Sequence, residues 1–338
     1  MSISVALCTC NGERYLRQQL ESIAAQTLLP DEIVACDDAS DDRTVSILEG
    51  FAKTSSVPIR IHRNTQRLGV SENFRKAIGL CSCELIALSD QDDVWLPEKL
   101  EKQAVRFRSQ RCENVQVLFS DLELVDERLR SLGKTMWQHL GFTPALRRRW
   151  KNGGATDVLI RYGNVVTGST IMLRSTFRDQ ADAFIRIATR VWIHDGKIAL
   201  AAAFRNTIDF LAEPTVLYRQ HSGQLIGGAE LVNASETSRL KKFLTGSLNV
   251  TRELRSRLHY LKQHRLDLLD LGLDASRLSV LDPVIEHIKT RLSLPPGRWR
   301  RLPRILGEWI RLRYWKYSGS LALQALRDWA VKHNASLV

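Results

Sequence analysis

The feature that most constrains the fold is a regular alternation of short apolar runs and helical patterns over residues 1–125. The apolar runs predict strands, and the segments between them carry apolar residues at helical spacing. Strands that alternate with helices form βαβ units, which predicts a mostly parallel sheet with helices on both faces. The predicted strands are residues 3–9, 32–36, 59–62, 85–89 and 115–120, and the predicted helices are residues 13–26, 44–53, 71–80 and 97–110.

Polar side chains follow four of these predicted strands at the point where each strand ends. Thr9 and Asn11 follow the first strand, Asp37 and Asp38 the second, Asn64 and Arg67 the third, and Asp90 to Asp93 the fourth. In open α/β sheets, ligands bind beyond the carboxyl ends of the strands. We therefore expect these side chains to line one crevice.

The acidic stretch Asp90-Gln91-Asp92-Asp93 is the most specific of these strand ends. In an extended segment, Asp90 and Asp92 point to the same side and Gln91 points away. Two adjacent carboxylates repel one another unless a cation lies between them, and oxygen ligands suit Mg²⁺ or Mn²⁺. The alternative interpretation is an acidic turn that caps the helix beginning at Pro97. A similar alternative applies to Asp41 and Asp42, which we assign to a turn and a helix cap.

The second half of the chain is less regular. The stretch 141–163, rich in Gly and Arg, predicts a mobile loop or short helices, and a strand is expected over 169–173. A helix is expected from Asp195 through Ala203. An edge strand is expected over 211–218, because Pro214 has no backbone N–H to donate. From about residue 236 the pattern is helical.

Six sequence blocks, in this order, resemble the inverting family 2 glycosyltransferases of the GT-A fold. They are CTCNGERYLRQQLESIAAQT, CDDASDDRT, NTQRLGVSENFRKAIGLCSCELIALSDQDDVW, GNVVTGSTIMLR, WIHDGKIAL and LYRQHSGQ. The later blocks are similar to the bacterial polysaccharide rhamnosyltransferase branch. The resemblance covers residues 3 to about 224. It predicts a catalytic domain over 1–224 and a basic, mainly helical region over 225–338.

The resemblance implies a role for each matching residue. Asp90 and Asp92 would be the acidic pair at a divalent metal and the donor diphosphate, and Asp93 would hold their loop. His221 would join the metal site, and Asp195 would be the general base. Residues implied in nucleotide-sugar binding are Thr9, Asn11, Glu13, Asp37, Asp38, Arg67, Asp90 and Gln91.

The later blocks contain two residues with an alternative interpretation and one departure from the family pattern. Without the other blocks, His194-Asp195 at the start of a helix would be a structural cap, and His221 an ordinary exposed histidine. Members of the branch commonly carry tryptophan after the His-Asp pair, whereas Gly196 stands here. We expect this glycine to widen the acceptor side of the site.

The resemblance implies transfer of a sugar, with dTDP-L-rhamnose the first choice of donor, to a lipid-linked or polysaccharide hydroxyl in bacterial surface glycan synthesis. A UDP-hexose or UDP-N-acetylhexosamine donor is the alternative within the same fold. With no signal-peptide pattern and no apolar stretch of membrane-spanning length, we expect a cytoplasmic protein, with peripheral attachment to the membrane as a second alternative. The cysteines at one-residue spacing do not match zinc motifs, so reduced structural thiols are expected.

The net charge of +12 lies almost entirely in the tail. Residues 1–224 carry 29 basic and 27 acidic side chains, and residues 225–338 carry 20 basic against 10 acidic. Within 295–317, apolar residues at 302, 305, 306, 309 and 310 predict an amphipathic helix flanked by arginines. Such a helix suits either an anionic membrane surface or docking on the catalytic domain. Charge alone also allows a nucleic-acid-binding protein, but the acidic strand ends argue against it.

Overall fold

The computed structural model describes residues 1–222, 250–295, 297–314, 325, 328 and 329. The chain divides into two compact units, one ending at Leu231 and the other beginning at Val232. Three expectations lie outside the described residues. These are the predicted boundary between 224 and 225, the helical onset near 236, and the end of the amphipathic segment at 315–317.

A nine-stranded mixed sheet forms the centre of the first unit. Its order is β3-β2-β1-β4-β8-β6-β9-β5, with β7 paired to β6. Strands β1 to β4 are parallel to one another, and β8 runs antiparallel between β4 and β6. The strands are β1 (Ile3–Thr9), β2 (Glu32–Asp37), β3 (Ile59–Arg63), β4 (Leu85–Ser89), β5 (Val94–Trp95), β6 (Val117–Val125), β7 (Ser131–Thr135), β8 (Met172–Arg174) and β9 (Ile208–Arg219).

Helices connect the parallel strands as the sequence predicts. They are α1 (Leu16–Ala24), α2 (Thr44–Ala52), α3 (Val70–Leu80), α4 (Lys99–Arg108), α5 (Met136–Leu140), α6 (Pro144–Arg149), α7 (Ala155–Tyr162), α8 (Arg178–Arg186) and α9 (His194–Ala203). The buried residues of α1 are Leu16, Gln19, Leu20 and Ile23. Every residue of β1, β2 and β4 is buried. Burial on both faces explains why these strands are continuous apolar runs.

The expectation that residues 211–218 form an edge strand is wrong. Strand β9 lies inside the sheet, parallel to β6 and antiparallel to β5. Pro214 is tolerated there because the β6–β9 register shifts on both sides of Asp121, the residue opposite the proline. The predicted strand at 169–173 is also displaced, since Gly168–Thr170 is a 3₁₀ turn and β8 follows it.

The Gly- and Arg-rich stretch 141–163 consists of short helices rather than an open loop. Five aromatic rings pack under it, each buried and each with neighbouring rings at centroid distances of 5.0–6.5 Å. These rings belong to Phe119, Trp137, Phe142, Trp150 and Phe210. Gly153, with a φ of +83°, allows the kink between α6 and α7. Aromatic packing therefore fixes a segment that composition alone suggests is mobile.

The described part of the second unit is helical. Its helices are α10 (Val250–Asp270), α11 (Ala275–Leu278), α12 (Asp282–Leu292) and α13 (Arg298–Ile310). The contact of His287 with Glu308 at 2.6 Å links α12 to α13, and Arg291 of α12 donates to both oxygens of Asp328, beyond α13, at 2.6 and 3.0 Å.

Helix α13 has the predicted amphipathic pattern with a different orientation. Arg301, expected on the outer basic face, is buried and donates to the carbonyl oxygens of Pro295 and Asp328. Of the predicted apolar stripe, Ile305 is buried, whereas Leu306, Trp309 and Ile310 are exposed. The helix therefore packs on an edge of its apolar face and leaves the rest uncovered by the described residues.

Two further expectations concern the whole chain. All six cysteines are free thiols, in line with the expected reduced state. Among the described helices, none combines the length and the apolar character needed to cross a bilayer.

Candidate functional site

The ends of β1 and β4 form the centre of the candidate site. In the sheet, the chain proceeds from β1 outward to β2 and β3 on one side, and β4 lies on the other side of β1. The gap beyond β1 and β4 is therefore a topological switch point. The loop that begins at Cys10 leaves β1 there, and Asp90 to Asp93 leave β4. The crevice expected from the sequence therefore lies where neighbouring connections diverge.

The end of β2 is held by a network around Asp37. Both oxygens of this buried carboxylate accept hydrogen bonds, Oδ1 from the hydroxyls of Thr9 at 3.0 Å and Ser40 at 2.5 Å. Oδ2 accepts the Ser40 backbone N–H at 2.9 Å. Thr9 and Asp37, both predicted site residues, thus bond to each other and order the turn after β2.

Asp38 organises the loop between β3 and α3. Its Oδ1 accepts from the Asn64 amide at 2.8 Å and from the Leu68 backbone N–H at 2.7 Å. Its Oδ2 accepts from the Gly69 backbone N–H at 2.9 Å. Arg67 lies within this loop, exposed, with no hydrogen bond or ion pair to another described residue. Because Asp38 binds the backbone of the loop, it also fixes the position of the Arg67 backbone.

Asn11 and Glu13 lie on the exposed side of the loop after β1. Asn11 has a φ of +50°, and its side-chain oxygen accepts the Asp41 backbone N–H at 3.0 Å. Glu13 accepts from the backbone N–H of Arg43 at 3.0 Å and forms an exposed ion pair with its guanidinium. These contacts attach the β1 loop to the turn that starts α2.

The expected turn and cap role of Asp42 is confirmed by its contacts. Its Oδ1 accepts from the Thr44 backbone N–H at 2.9 Å at the start of α2. Its Oδ2 accepts from the Glu13 backbone N–H at 3.0 Å. Arg67 acts on the loop after β1 through its charge. This positive charge opposes the rise that burial causes in the pKa of the Cys10 thiol.

Asp90 is buried within electrostatic range of two other carboxylates. Burial raises the pKa of Asp90 to about 8, and the negative charges of Asp92 and Asp195 add to the rise. The charge of Asp195 therefore acts on Asp90, although 105 positions separate the two residues. Carboxylates that converge in this way favour a bound cation.

His221 contacts the acidic pair directly. Its Nε2 lies 2.9 Å from Oδ2 of Asp92, and its ring lies 4.8 Å from that of Tyr15. The histidine comes from the end of β9, so the fold brings together two predicted metal-site residues 129 positions apart.

Arg219, which sequence reasoning missed, holds this arrangement together. It is 1% exposed and its guanidinium stacks 4.4 Å from the centre of the Tyr15 ring. It donates to the carbonyl oxygens of Asp92 at 2.9 Å and Glu127 at 2.6 Å, and to Gln18 Oε1 at 2.7 Å. The block LYRQH contains the residue, but only the tertiary contacts show its function.

Two more ionisable side chains are buried near the acidic loop. Asp93 is fully buried, and burial raises the pKa of its carboxyl well above the usual value. Lys99 is also fully buried, and burial lowers its pKa to about 7, with the charge of Asp93 opposing that change. The Lys99 ammonium stacks 4.7 Å from the Trp95 ring. Sequence reasoning assigned Asp93 to support of the loop and gave Lys99 no role.

Asp195 sits in the first turn of α9. Its Oδ1 accepts from the Asn164 amide at 3.1 Å and from the Gly196 backbone N–H at 2.5 Å. Burial raises the pKa of Asp195 to about 6, and hydrogen bonds from the backbone of Gly196 and Gly168 and from Asn164 oppose the rise. Asn164 stands in the block GNVVTGST, but no local spacing connects it with Asp195.

The expectation that Gly196 widens the acceptor side finds no support in the packing around it. A methyl group at position 196 would overlap the indole ring of Trp192 and lie 3.2 Å from the Asn164 side-chain carbon. Trp192 is 4% exposed. The space that a larger residue would take is therefore filled by an indole from four positions earlier.

The donor set of the acidic pair suits a divalent metal. No group of three or more His, Cys, Asp or Glu side chains in the described part of the chain forms a ready-made metal cluster. Mg²⁺ sites commonly use one or two carboxylates and complete their coordination with substrate phosphates. Asp90, Asp92 and the adjacent His221 imidazole supply such an incomplete set.

The chain resembles known glycosyltransferases in sequence. The sequence pattern of the family described as "Glycosyl transferase family 2" matches residues 4–158. A dTDP-rhamnosyl transferase of Shigella flexneri, RfbG, is 24% identical over 234 residues, which cover 65% of this chain and 73% of that protein.

Solved structures resemble the chain over most of its length. S. aureus TarS, residues 1–349 in complex with UDP, superposes with a TM-score of 0.52 at 17% identity and covers 93% of this chain and 92% of its own. The mannosyltransferase PcManGT from Pyrobaculum calidifontis, in complex with GDP-Man and Mn²⁺, gives 0.51 at 18% identity, with 96% and 77% covered. The predicted α/β GT-A fold with C-terminal helices is confirmed.

Proposed function

Because residues 4–158 of this transferase belong to glycosyl transferase family 2, we propose that the chain moves a sugar from a nucleotide-diphosphate donor to an acceptor hydroxyl with inversion. The observation that carries the proposal is the acidic pair Asp90 and Asp92 at the switch point beyond β1 and β4, with His221 2.9 Å from Asp92 and the charge of Asp195 within electrostatic range of Asp90. Asp90 and Asp92 are proposed to bind the donor diphosphate through a metal ion. Asp195 is proposed to act on the acceptor hydroxyl.

Asp195 is the proposed general base. It accepts the proton of the acceptor hydroxyl as that oxygen bonds to the anomeric carbon, and the bond from this carbon to the diphosphate oxygen breaks on the opposite face. A pKa raised by burial to about 6 keeps the carboxylate ionised at neutral pH and still basic enough to take a proton. The Asn164 amide and the Gly196 N–H both bond to Oδ1, so Oδ2 is the oxygen proposed to take the proton of the acceptor.

Asp90, Asp92 and His221 are the residues proposed to hold Mg²⁺ or Mn²⁺. The bound metal would neutralise charge on the departing diphosphate. His221 and the buried Arg219 keep Asp92 oriented toward the crevice through contacts with its carboxylate and its backbone carbonyl. Arg67, exposed beside the β1 loop, is proposed to contact the donor phosphates.

The nucleotide is proposed to lie over the ends of β1 and β2, with Thr9, Asn11, Glu13, Asp37 and Asp38 around it. We propose dTDP-L-rhamnose as the donor, because the Shigella relative is named as a dTDP-rhamnosyl transferase. UDP-sugars are the alternative, since the TarS structure holds UDP. The proposed acceptor is a saccharide, free or lipid-linked, on the cytoplasmic side of the membrane in surface glycan synthesis.

Replacing the base tests the mechanism. In the full chain with Mn²⁺ and a panel of dTDP- and UDP-sugars, Asp195→Asn should lower transfer by about 10³-fold or more. Nucleoside diphosphate binding should persist. Asp179→Asn, an exposed aspartate on α8, is the matched control and should leave transfer unchanged. Full transfer by Asp195→Asn would remove the base assignment, and a product that keeps the donor's anomeric configuration would remove inversion.

A lipid surface is the proposed partner of α13. Trp299, Leu306 and Ile310 are 75%, 50% and 74% exposed and share one face of the helix. Arg300, Arg304 and Arg311 lie beside that face and are also exposed. The acid of this helix, Glu308, is buried against His287 and Arg313. An exposed apolar face flanked by arginines complements anionic lipid headgroups.

Vesicle sedimentation tests this contact. The full chain should bind phosphatidylglycerol-containing vesicles more tightly than phosphatidylcholine vesicles, and salt should weaken binding. The affinity of the variant Trp299→Ala/Ile310→Ala for these vesicles should fall at least about tenfold, because the variant loses apolar area. The control Leu266→Ala/Leu269→Ala changes exposed leucines of α10 and should bind normally. Equal binding by both double variants, or concentration-dependent dimers that bury Trp299, would contradict the proposal.

A further inference from the structure

The side chain of Gln91 is attached to the backbone of the neighbouring strand end. Its Oε1 accepts the Cys10 backbone N–H at 2.8 Å, and its Nε2 donates to the Cys10 carbonyl oxygen at 2.9 Å. One amide thus satisfies both backbone groups of a residue that lies just beyond β1. The arrangement continues the β1–β4 pairing past the point where the two strands end.

Gly12 makes room for this contact. A methyl group at position 12 would overlap the amide group of Gln91. The φ of Gly12 is not in the left-handed region, so its backbone conformation alone is compatible with alanine. The requirement for glycine at this position therefore comes from Gln91.

The loop after β1 is also attached on its other side. The backbone N–H of Asn11 donates to the Ser40 hydroxyl at 2.9 Å, and that of Gly12 donates to the Thr44 hydroxyl at 2.8 Å. Three consecutive N–H groups, from Cys10 to Gly12, are therefore bonded to the loop after β4, the loop after β2 and the first residue of α2. Gln91 is the member of this set that connects to the acidic loop.

We propose that Gln91 is a positioning residue that joins the metal-binding loop to the nucleotide-binding loop. Binding of metal at Asp90 and Asp92 then favours the conformation of the β1 loop that binds the nucleotide, and the reverse also holds. The proposal rests on the proposed function. It replaces the direct donor contact that the sequence resemblance implies for Gln91.

Calorimetry on the full chain tests this coupling. We would measure the affinity for UDP and dTDP with and without Mn²⁺; the ratio of the two affinities is the coupling factor. In the native protein Mn²⁺ should tighten nucleotide binding within the range of about 5–150-fold that coupled sites show. Gln91→Met, which keeps the length of the side chain without its hydrogen bonds, should lower this factor about fivefold. Its nucleotide affinity without metal should change less than about twofold.

Matched variants separate the contact from general damage. Gln91→Asn keeps the amide but is one methylene too short, so it should resemble Gln91→Met. Gly12→Ala should give the same loss through displacement of the Gln91 side chain. The double variant Gly12→Ala/Gln91→Ala should be no worse than Gln91→Ala, because the overlap is gone. Gln110→Met, at an exposed position, should behave as the native protein.

The outcomes distinguish the two proposals. An unchanged coupling factor in folded Gln91→Met and Gly12→Ala would overturn the positioning role and leave the proposed function intact. Loss of nucleotide affinity without metal in Gln91→Met would also overturn it, in favour of a direct contact. Failure of the native protein to bind either nucleotide, with and without Mn²⁺, would remove the proposed function and this inference together.

Discussion

Two pairs of aspartates stand at the ends of parallel strands, and their surroundings differ. Asp37 and Asp38 follow β2 and accept six hydrogen bonds at their carboxylate oxygens from side chains and backbone. Asp90 and Asp92 follow β4. The Asp90 carboxylate accepts no hydrogen bond from a described residue, and that of Asp92 contacts His221.

This difference shows how a sequence motif acquires its role. A carboxylate whose oxygens are occupied by donors from its own fold orders the loops that supply those donors. A carboxylate that is half-buried beside other carboxylates, with few donors, is unstable as an anion until a cation arrives. The first pair therefore builds the crevice, and the second pair is available to a ligand within it.

Of the two aspartate pairs, the pair after β4 should matter more for catalysis, and removal of Asp92 tests this. Asp92→Ala takes away a proposed metal ligand and should lower transfer by about 10²–10³-fold. The stability cost should be small, about 1 kcal/mol, because one hydrogen bond to His221 is lost. Transfer assays with saturating donor and Mn²⁺, together with thermal unfolding, measure both quantities. Near-native transfer in a folded Asp92→Ala variant would mean that the two aspartate pairs do not differ in function.

Removal of Asp38 should have the opposite balance. Asp38→Ala leaves the N–H groups of Leu68 and Gly69 without an acceptor and the Asn64 amide with one of its two, which should cost about 2–4 kcal/mol of unfolding free energy. Denaturant unfolding measures this cost. The control Asp41→Ala changes an exposed carboxylate and should stay within about 0.5 kcal/mol of the native protein. If Asp38→Ala unfolds like Asp41→Ala but binds nucleotide poorly, Asp38 is a ligand contact instead.

The fold was predictable where the signal is local. Strands β1, β2 and β4 are apolar runs buried on both faces, so their limits agree with the sequence prediction within a residue. The sequence does not predict the strands β5 and β7, because β5 has two residues and β7 has no buried residue. The position of β9 was mistaken since Pro214 marks an edge only when no irregularity in the partner strand accommodates it.

The site was predictable to the same extent. The acidic motif and the His194-Asp195 pair are visible because their residues are consecutive. Asn164 and Arg219 are not, since their partners lie 31 and 127 positions away and only the folded sheet brings them together. Arg301 illustrates the same limit in the second unit. It belongs to a basic pattern, yet it is buried and donates to the carbonyl oxygens of Pro295 and Asp328.

The smallest expected effect concerns Asn164 and extends the comparison to the third carboxylate, which lies between the two extremes. Asp195 has some donors and is also buried, and its pKa is raised to about 6. The Asn164 amide stabilises the ionised form, so Asn164→Ala should raise this pKa further. A base must be deprotonated to act, and transfer is lost as pH falls through its pKa. The variant should therefore lose activity at a higher pH than the native protein.

The size of the change follows from the hydrogen bond. A bond to a charged acceptor contributes about 1.5–3 kcal/mol, and 1.4 kcal/mol corresponds to about tenfold in proton affinity. At the lower end of this range, a rise of about one pKa unit, transfer by Asn164→Ala should fall about five- to tenfold at pH 6 and approach the native rate at pH 8. Profiles of kcat/KM against pH measure the shift, with exposed Asn152→Ala as the control. A uniform loss at every pH would show that Asn164 supports the fold of the site and does not tune its base.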